Sequence, residues 1–229
     1  MTQVVRPSPI TLVGGANLRR TDLTVALSLA PTLVAADGGA DALRAAGLVP
    51  VAVIGDMDSL GAGARAAFAD VLIEVAEQDS TDFDKALRHI SAPLVLALGF
   101  SGGRLDHELA ALHGLLRHPD RRCVVIGAES LTFLCPPEVS LDLGPGTVVS
   151  LFPMAPVAVC SEGLRWPTDG IAFAPDTRIG TSNAATGGPV RLGADAPAML
   201  VILPKALLPQ VVAALAAAPA VWPAPDLAP

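Results

Sequence analysis

Short aliphatic runs recur from Ile10 to Ile126, separated by Ala-rich stretches of helical character. The runs predict strands over Ile10–Val13, Thr32–Ala36, Val51–Ile54, Leu72–Val75, Leu94–Leu98 and Cys123–Ile126. Runs this short and this apolar, alternating with helices, are the pattern of a parallel sheet with helices on its faces. Most of them end in glycine or acid: GG after Val13, DGG after Ala36, GDMDS after Ile54 and GFSGGR after Leu98. In open α/β sheets ligands gather outside the carboxyl ends of the strands, so these strand ends mark the expected site.

After about Pro136 the helical period disappears. Short β-like runs at Thr147–Phe152, Val157–Cys160, Pro189–Leu192 and Met199–Leu203 lie between Gly and Pro turns, which predicts a small antiparallel sheet domain. The expected architecture is α/β: an N-terminal parallel-sheet domain over residues 1–138 and a C-terminal antiparallel, β-sandwich-like domain over 139–229. From Lys205 onward the pattern predicts an Ala-rich helix interrupted early by Pro209, then a Pro-rich end that frays.

Composition narrows the function classes. Of 229 residues, 52% are hydrophobic and 16% charged, which suits a packed globular chain rather than a disordered one. The net charge of −7, with no basic patch interleaved with aromatics, argues against a nucleic-acid partner. A nucleotide remains compatible, because backbone N–H groups and a divalent cation reverse the local sign. Cys123, Cys135 and Cys160 form no C-x-x-C pair and read as buried reduced thiols. The apolar stretch Val211–Val221 is too short for a membrane span, and the first residues lack a signal-peptide pattern, so a cytoplasmic protein without membrane partners is expected.

Three segments carry candidate chemistry. In I-G-D-M-D-S at Ile54–Ser59, Asp56 and Asp58 stand two residues apart just past a buried strand; in extended backbone both side chains point the same way and suit a shared hard cation such as Mg²⁺. The alternative is that each caps a helix beginning near Leu60. In E-Q-D-S-T-D-F-D-K at Glu77–Lys85, Thr81 reads as a helix N-cap with Asp82 and Asp84 in the first turn, and Lys85 one turn on is near enough to touch a phosphate. The strand before this helix brings Asp82 to the sheet edge that holds Asp56 and Asp58. In G-F-S-G-G-R-L-D-H at Gly99–His107, Gly102 and Gly103 permit close approach of an anion, Arg104 adds a charged fork, and Asp106 and His107 are either site residues or ordinary first-turn polar residues. His89, His113 and His118 lack ligand spacing and are assigned no role.

Taken in order, these segments resemble the thiamine pyrophosphokinase family: A-D-G-G at Ala36–Gly39, G-D-M-D-S at Gly55–Ser59, Q-D-S-T-D-F at Gln78–Phe83 and G-G-R-L-D-H at Gly102–His107, followed by G-L-R-W-P at Gly163–Pro167 and G-T-S-N at Gly180–Asn183. The resemblance covers roughly residues 10–203. It implies an ATP-binding catalytic α/β domain, a β-rich domain for thiamine binding and dimerisation, and a homodimer with active sites between subunits. It implies Mg²⁺ and ATP phosphates held by Asp56, Asp58 and Asp82, with Asp106 as a further catalytic residue. Asp37, Gly38, Gly39, Gln78, Thr81, Lys85, Gly102, Gly103 and Arg104 match positions around the nucleotide, and Trp166, Ser182 and Asn183 match the thiamine pocket. The implied reaction moves pyrophosphate from ATP to the thiamine hydroxyl, with Asp82 or Asp106 as proton acceptor. Rival readings are a diphosphokinase with another acceptor, such as a hydroxymethylpterin, and a non-catalytic nucleotide or thiamine sensor. Met57 departs from the family pattern, where an aromatic residue is frequent, and the chain beyond Leu203 does not align.

Overall fold

The computed structural model describes residues 4–224. The chain divides into two compact units. The first runs to Gly114 and takes back Cys123–Ala128; the second holds Leu115–Arg122 and everything from Glu129 onward.

In the first unit the elements are β1 (Val4–Val5), β2 (Ile10–Val13), α1 (Arg20–Leu29), β3 (Thr32–Ala36), α2 (Gly39–Ala45), β4 (Ala52–Gly55), α3 (Ala62–Ala67), β5 (Leu72–Glu74), α4 (Asp82–His89), β6 (Ile90–Ser91), β7 (Val95–Leu98), α5 (Leu105–Arg117) and β8 (Cys123–Ile126); the last turn of α5 belongs to the second unit. Six strands lie in the order β8-β7-β2-β3-β4-β5, every pair parallel. All four residues of β2, β4, β7 and β8 are buried, as a sheet covered on both faces requires. The order turns back at β2, where β3 lies on one side and β7 on the other, so a crevice opens between the loops that follow β2 and β7. Leu33, Ala35, Val53, Leu43, Leu60 and Phe68 pack into one core cluster beneath that edge.

The second unit holds β9 (Ser130–Leu134), β10 (Val139–Leu143), β11 (Val148–Pro153), β12 (Val157–Glu162), β13 (Ala172–Phe173), β14 (Gly180–Ala184), β15 (Gly188–Ala194), β16 (Met199–Pro204) and α6 (Leu208–Ala217). Its strands run β14-β11-β16-β9 and β10-β15-β12-β13, all antiparallel. Strict alternation of buried and exposed residues along β10 gives it one buried face, the period-two signature expected of such a sheet.

Several details differ from the sequence expectations. Pro209 does not interrupt the C-terminal helix but sits in the first turn of α6, where its missing N–H costs nothing and its fixed φ suits the helix. The expected fraying end falls partly on residues 225–229, outside the described residues. Cys123 and Cys135 are buried, but Cys160 is exposed, because it faces outward on the alternating strand β12. The helix expected near Leu60 begins at Ala62 with Gly61 as N-cap, and the Gly61 N–H is taken by Asp41 Oδ2 at 2.8 Å rather than by Asp56 or Asp58. Among the described residues no helix is long and apolar enough to cross a membrane.

Candidate functional site

The acids meet because of strand register. Ala36 pairs with Ile54 across β3 and β4, and the next residues off each strand end are Asp37 and, after Gly55, Asp56. The Asp37 N–H still donates to the Ile54 carbonyl at 2.9 Å, which holds Asp37 against the β4 terminus. Gly55 has to be glycine: a Cβ there would lie 2.8 Å from the Asp37 Cβ and 3.1 Å from Asp82 Oδ1. One missing methyl group thus lets three carboxylate residues crowd one sheet edge.

Asp56 and Asp58 are brought together differently from the extended geometry expected. Met57 adopts a left-handed conformation, φ 67°, and its side chain is buried in the core, so the backbone kinks and Asp58 N–H donates to Asp56 Oδ1 at 3.3 Å. Arg65 fixes the kink from below by donating to the Met57 carbonyl at 2.6 Å. Ligand atoms of Asp37, Asp56 and Asp58 lie within 4.8 Å of one another. Asp37 Oδ2 accepts the Ser59 N–H at 3.0 Å, but Oδ1 is buried without a hydrogen-bond partner. A buried carboxylate oxygen left unpaired is costly, and a divalent cation would satisfy it, so these residues fit Mg²⁺. Burial, reinforced by the charges of Asp82, Asp56 and Asp58, raises Asp37 to a pKa of about 6 against the opposing Ser59 hydrogen bond.

Helix α4 supplies the other side. Thr81 caps it, its hydroxyl accepting from Asp84 N–H at 3.3 Å and donating to Asp84 Oδ2 at 3.0 Å, which sets Asp82 in the first turn as the sequence predicts. Upstream, the Glu77 carboxylate gathers the N–H groups of Asp79 and Ser80 and the Arg88 guanidinium, fixing the approach to the cap and holding Glu77 down at about 2 through Ser80 and Arg88. Lys85 does not reach toward open space. Its side chain is 1% exposed, with Nζ 2.6 Å from Asp56 Oδ2 and 3.5 Å from Asp82 Oδ1. Burial alone would lower the ammonium's pKa, but the Asp56 hydrogen bond and both carboxylate charges outweigh it, so Lys85 stays charged. Gln78 Nε2 adds a second donor to Asp56 Oδ2 at 3.1 Å, and Asp56 is held below the usual carboxylate range, chiefly by Lys85. Burial pushes Asp82 the other way.

Asp37, Asp56, Asp82 and Lys85 line a cleft of about 850 Å³ in the first unit, together with Gly38, Thr81, Gly103, Arg104, Phe83, Phe100 and the turn Gly14–Leu18. Sequence reasoning noted the glycines after Val13 as a strand end but assigned them no role. A Cβ on Gly14 would lie 2.6 Å from the Gly99 carbonyl oxygen, and one on Gly99 (φ 74°) 2.4 Å from that of Gly14. The two turns therefore touch at the point where strand order reverses, leaving backbone free to line the crevice. Asn17 ties the second turn by donating to the Gly102 carbonyl at 2.9 Å. The signal that reveals this pair is strand order, which sequence alone does not supply. Gly39 is buried at the start of α2 rather than open to the cleft, and Gly102 is exposed with φ 75°. Arg104 and Asp106 form an exposed bidentate pair at 3.1 and 2.6 Å, with the Asp106 carboxyl held at about 2 by Arg104.

Trp166, Ser182 and Asn183 come together in the second unit, lining a smaller cleft of about 260 Å³ with Ile171 and Phe173. Asn183 clamps Trp166 by its backbone, accepting from the Trp166 N–H at 3.2 Å and donating to its carbonyl at 2.6 Å. The Trp166 ring is half exposed, with the Arg165 guanidinium 4.9 Å over it.

Fold and site together define an α/β protein with an acidic, glycine-lined cleft at the carboxyl edge of a parallel sheet, joined in one chain to an antiparallel β unit. Residues 23–126 match the model of the thiamin pyrophosphokinase catalytic domain. Thiamine pyrophosphokinase 1 of Oryza sativa is 29% identical over 166 residues, covering 64% of this chain and 63% of its own length, and that of Arabidopsis thaliana is 30% identical over 154, covering 58% of each. The chain thus spans less than two thirds of these relatives. The crystal structure of thiamin pyrophosphokinase from Geobacillus thermodenitrificans superposes with a TM-score of 0.70 at 25% identity, covering 86% of this chain and 96% of that one. Over residues 23–126 the chain is similar to the catalytic domain of thiamin pyrophosphokinases.

Proposed function

We propose that the protein transfers the terminal pyrophosphate of ATP to the hydroxyl of thiamine, giving thiamine diphosphate and AMP. The observation that supports this most is the unpaired, buried Asp37 Oδ1 beside Asp56 and Asp58 in a cleft large enough for a nucleoside triphosphate. Mg²⁺ is held by Asp56, Asp58 and Asp82, with Asp37 completing the acidic surround, and it supplies charge neutralisation on the phosphate oxygens. The facing turns at Gly14–Asn17 and Gly99–Arg104 offer backbone to the phosphates. The thiamine oxygen forms a bond to the β-phosphorus as the bond from that phosphorus to the α–β bridging oxygen breaks and AMP leaves. Of the two carboxylates considered as proton acceptor, Arg104 holds Asp106 as a weak base, and burial makes Asp82 the more basic of the two while it is free of the cation. Thiamine is a cationic aromatic, and the half-exposed Trp166 ring with its clamped backbone supplies a stacking surface of matching chemistry. The working form is a cytoplasmic homodimer with each active site at the subunit interface.

The test is product analysis after mixing the protein with ATP, Mg²⁺ and thiamine, with an EDTA control. Thiamine diphosphate and AMP in equal amounts, abolished by EDTA, are expected. ADP instead of AMP places the attack on the γ-phosphorus and sinks the reading. No product with thiamine but transfer to a hydroxymethylpterin reassigns the acceptor, and ATP binding without turnover leaves a sensor.

A further inference from the structure

Four carboxylates, those of Asp37, Asp56, Asp58 and Asp82, share one sheet edge, and a single buried ammonium stands among them. Asp56 belongs to two groups at once: the cradle with Asp37 and Asp58, and the ion pair with Lys85, which also reaches Asp82. Arg104, another cation lining the cleft, is engaged by Asp106. The Lys85 side chain is 1% exposed and its backbone is locked in α4, with N–H donating to the Thr81 carbonyl at 2.9 Å and its own carbonyl bonded to His89 Nδ1 at 2.7 Å. Its charge is therefore fixed in place and little screened, unlike that of a surface lysine.

We infer that Lys85 is a built-in counter-ion that occupies the position of a second cation and sets how weakly the nucleotide-free protein holds a divalent ion. The inference rests on the metal-dependent reading above and deepens it. With the ammonium in place, the cradle's attraction for a free ion is reduced while its carboxylates stay ionised and packed. The ion then binds best when a triphosphate brings further oxygen ligands, so metal and nucleotide load together. Lys85 acts through Asp56 and Asp82 and is a positioning residue.

The probe is Mn²⁺ alone, titrated into nucleotide-free protein and followed by the electron paramagnetic resonance signal of the free ion. Lys85→Gln keeps hydrogen-bonding capacity toward both carboxylates but removes the charge, and it is expected to bind Mn²⁺ about tenfold or more tightly, as loss of a unit charge within a few ångströms implies. Lys85→Arg keeps the charge and is expected to stay within about twofold of the wild type. Unchanged or weaker binding by Lys85→Gln overturns the counter-ion role, since a purely structural lysine would loosen the site when lost. If Lys85→Gln does not fold, a large change in Lys85→Arg still overturns it. Because no acceptor is present, failure here is separate from failure of thiamine turnover.

Discussion

Asp56 and Asp58 point into the same region only because Met57 between them turns left-handed and buries its side chain. The Asp58 carboxylate is exposed, whereas that of Asp56 is mostly covered and paired with Lys85, so amide replacements keep side-chain volume at both positions but at Asp56 also weaken a buried ion pair. Asp56→Asn and Asp58→Asn are each expected to lower pyrophosphate transfer by about 100-fold or more, the scale set by losing a preorganised electrostatic group, with unchanged circular dichroism. Near-normal turnover in either variant would remove that residue from the metal site. Gly39 is a different kind of residue. A Cβ there would lie 2.1 Å from the Val13 carbonyl oxygen, so Gly39→Ala forces α2 away from the end of β2. An expected loss of about 2–4 kcal/mol is readable by urea unfolding, in line with overpacking of a well-packed core. The D-x-D-S and T-D-F-D-K strings exposed these acids from sequence alone, yet the conformation that joins them did not show. A Met in a strand-end tripeptide carries no mark of positive φ, and the unpaired state of Asp37 Oδ1 depends on neighbours 17 or more positions away, from Ile54 onward.

At the scale of elements, α4 has the most to hold in place. Five consecutive residues, Phe83–Leu87, are buried, and Phe83 meets Phe100 edge-on at 4.8 Å while filling the notch left by Gly114 of α5. Its start depends on Thr81, so Thr81→Ala is expected to cost about 1 kcal/mol of stability by denaturant titration. Thr81→Ser should restore most of that loss. Helix caps and buried strands were legible because they are local chemistry: Thr81 followed by two acids, or four aliphatic residues ending in glycine. β9 was not, since Ser130–Leu134 follows β8 after only a short turn and mixes polar with apolar residues. Its place becomes plain only from its antiparallel pairing with β16, some seventy residues on.

For the whole molecule, Asp37 links pH and stability. Its folded pKa of about 6 exceeds the ordinary 3.8, so its protonated form favours the native state. That contribution is full below pH 4 and is lost as pH rises through about 6, with a ceiling near about 3 kcal/mol. In EDTA, Asp37→Asn should therefore gain on the wild type in melting temperature between pH 5 and pH 7. Saturating Mg²⁺, which favours the ionised carboxylate, should reverse that advantage at pH 7. An unchanged difference across this range would show that Asp37 does not titrate there. The change of texture near Pro136 is visible along the chain, but the division into compact units runs differently: residues 115–122 belong to the second unit and 123–128 return to the first. That return has a consequence for biosynthesis. β7, four buried aliphatic residues, pairs with β2 on one side and with β8 on the other, and β8 is encoded only after the chain has already left the first unit. During synthesis the nascent sheet carries a bare hydrophobic edge until Ile126 has emerged, the form of strand most prone to pair with another chain. Any product cut short between residues 99 and 122 would keep that edge permanently, and would be a substrate for chaperones and proteases rather than a smaller folded protein.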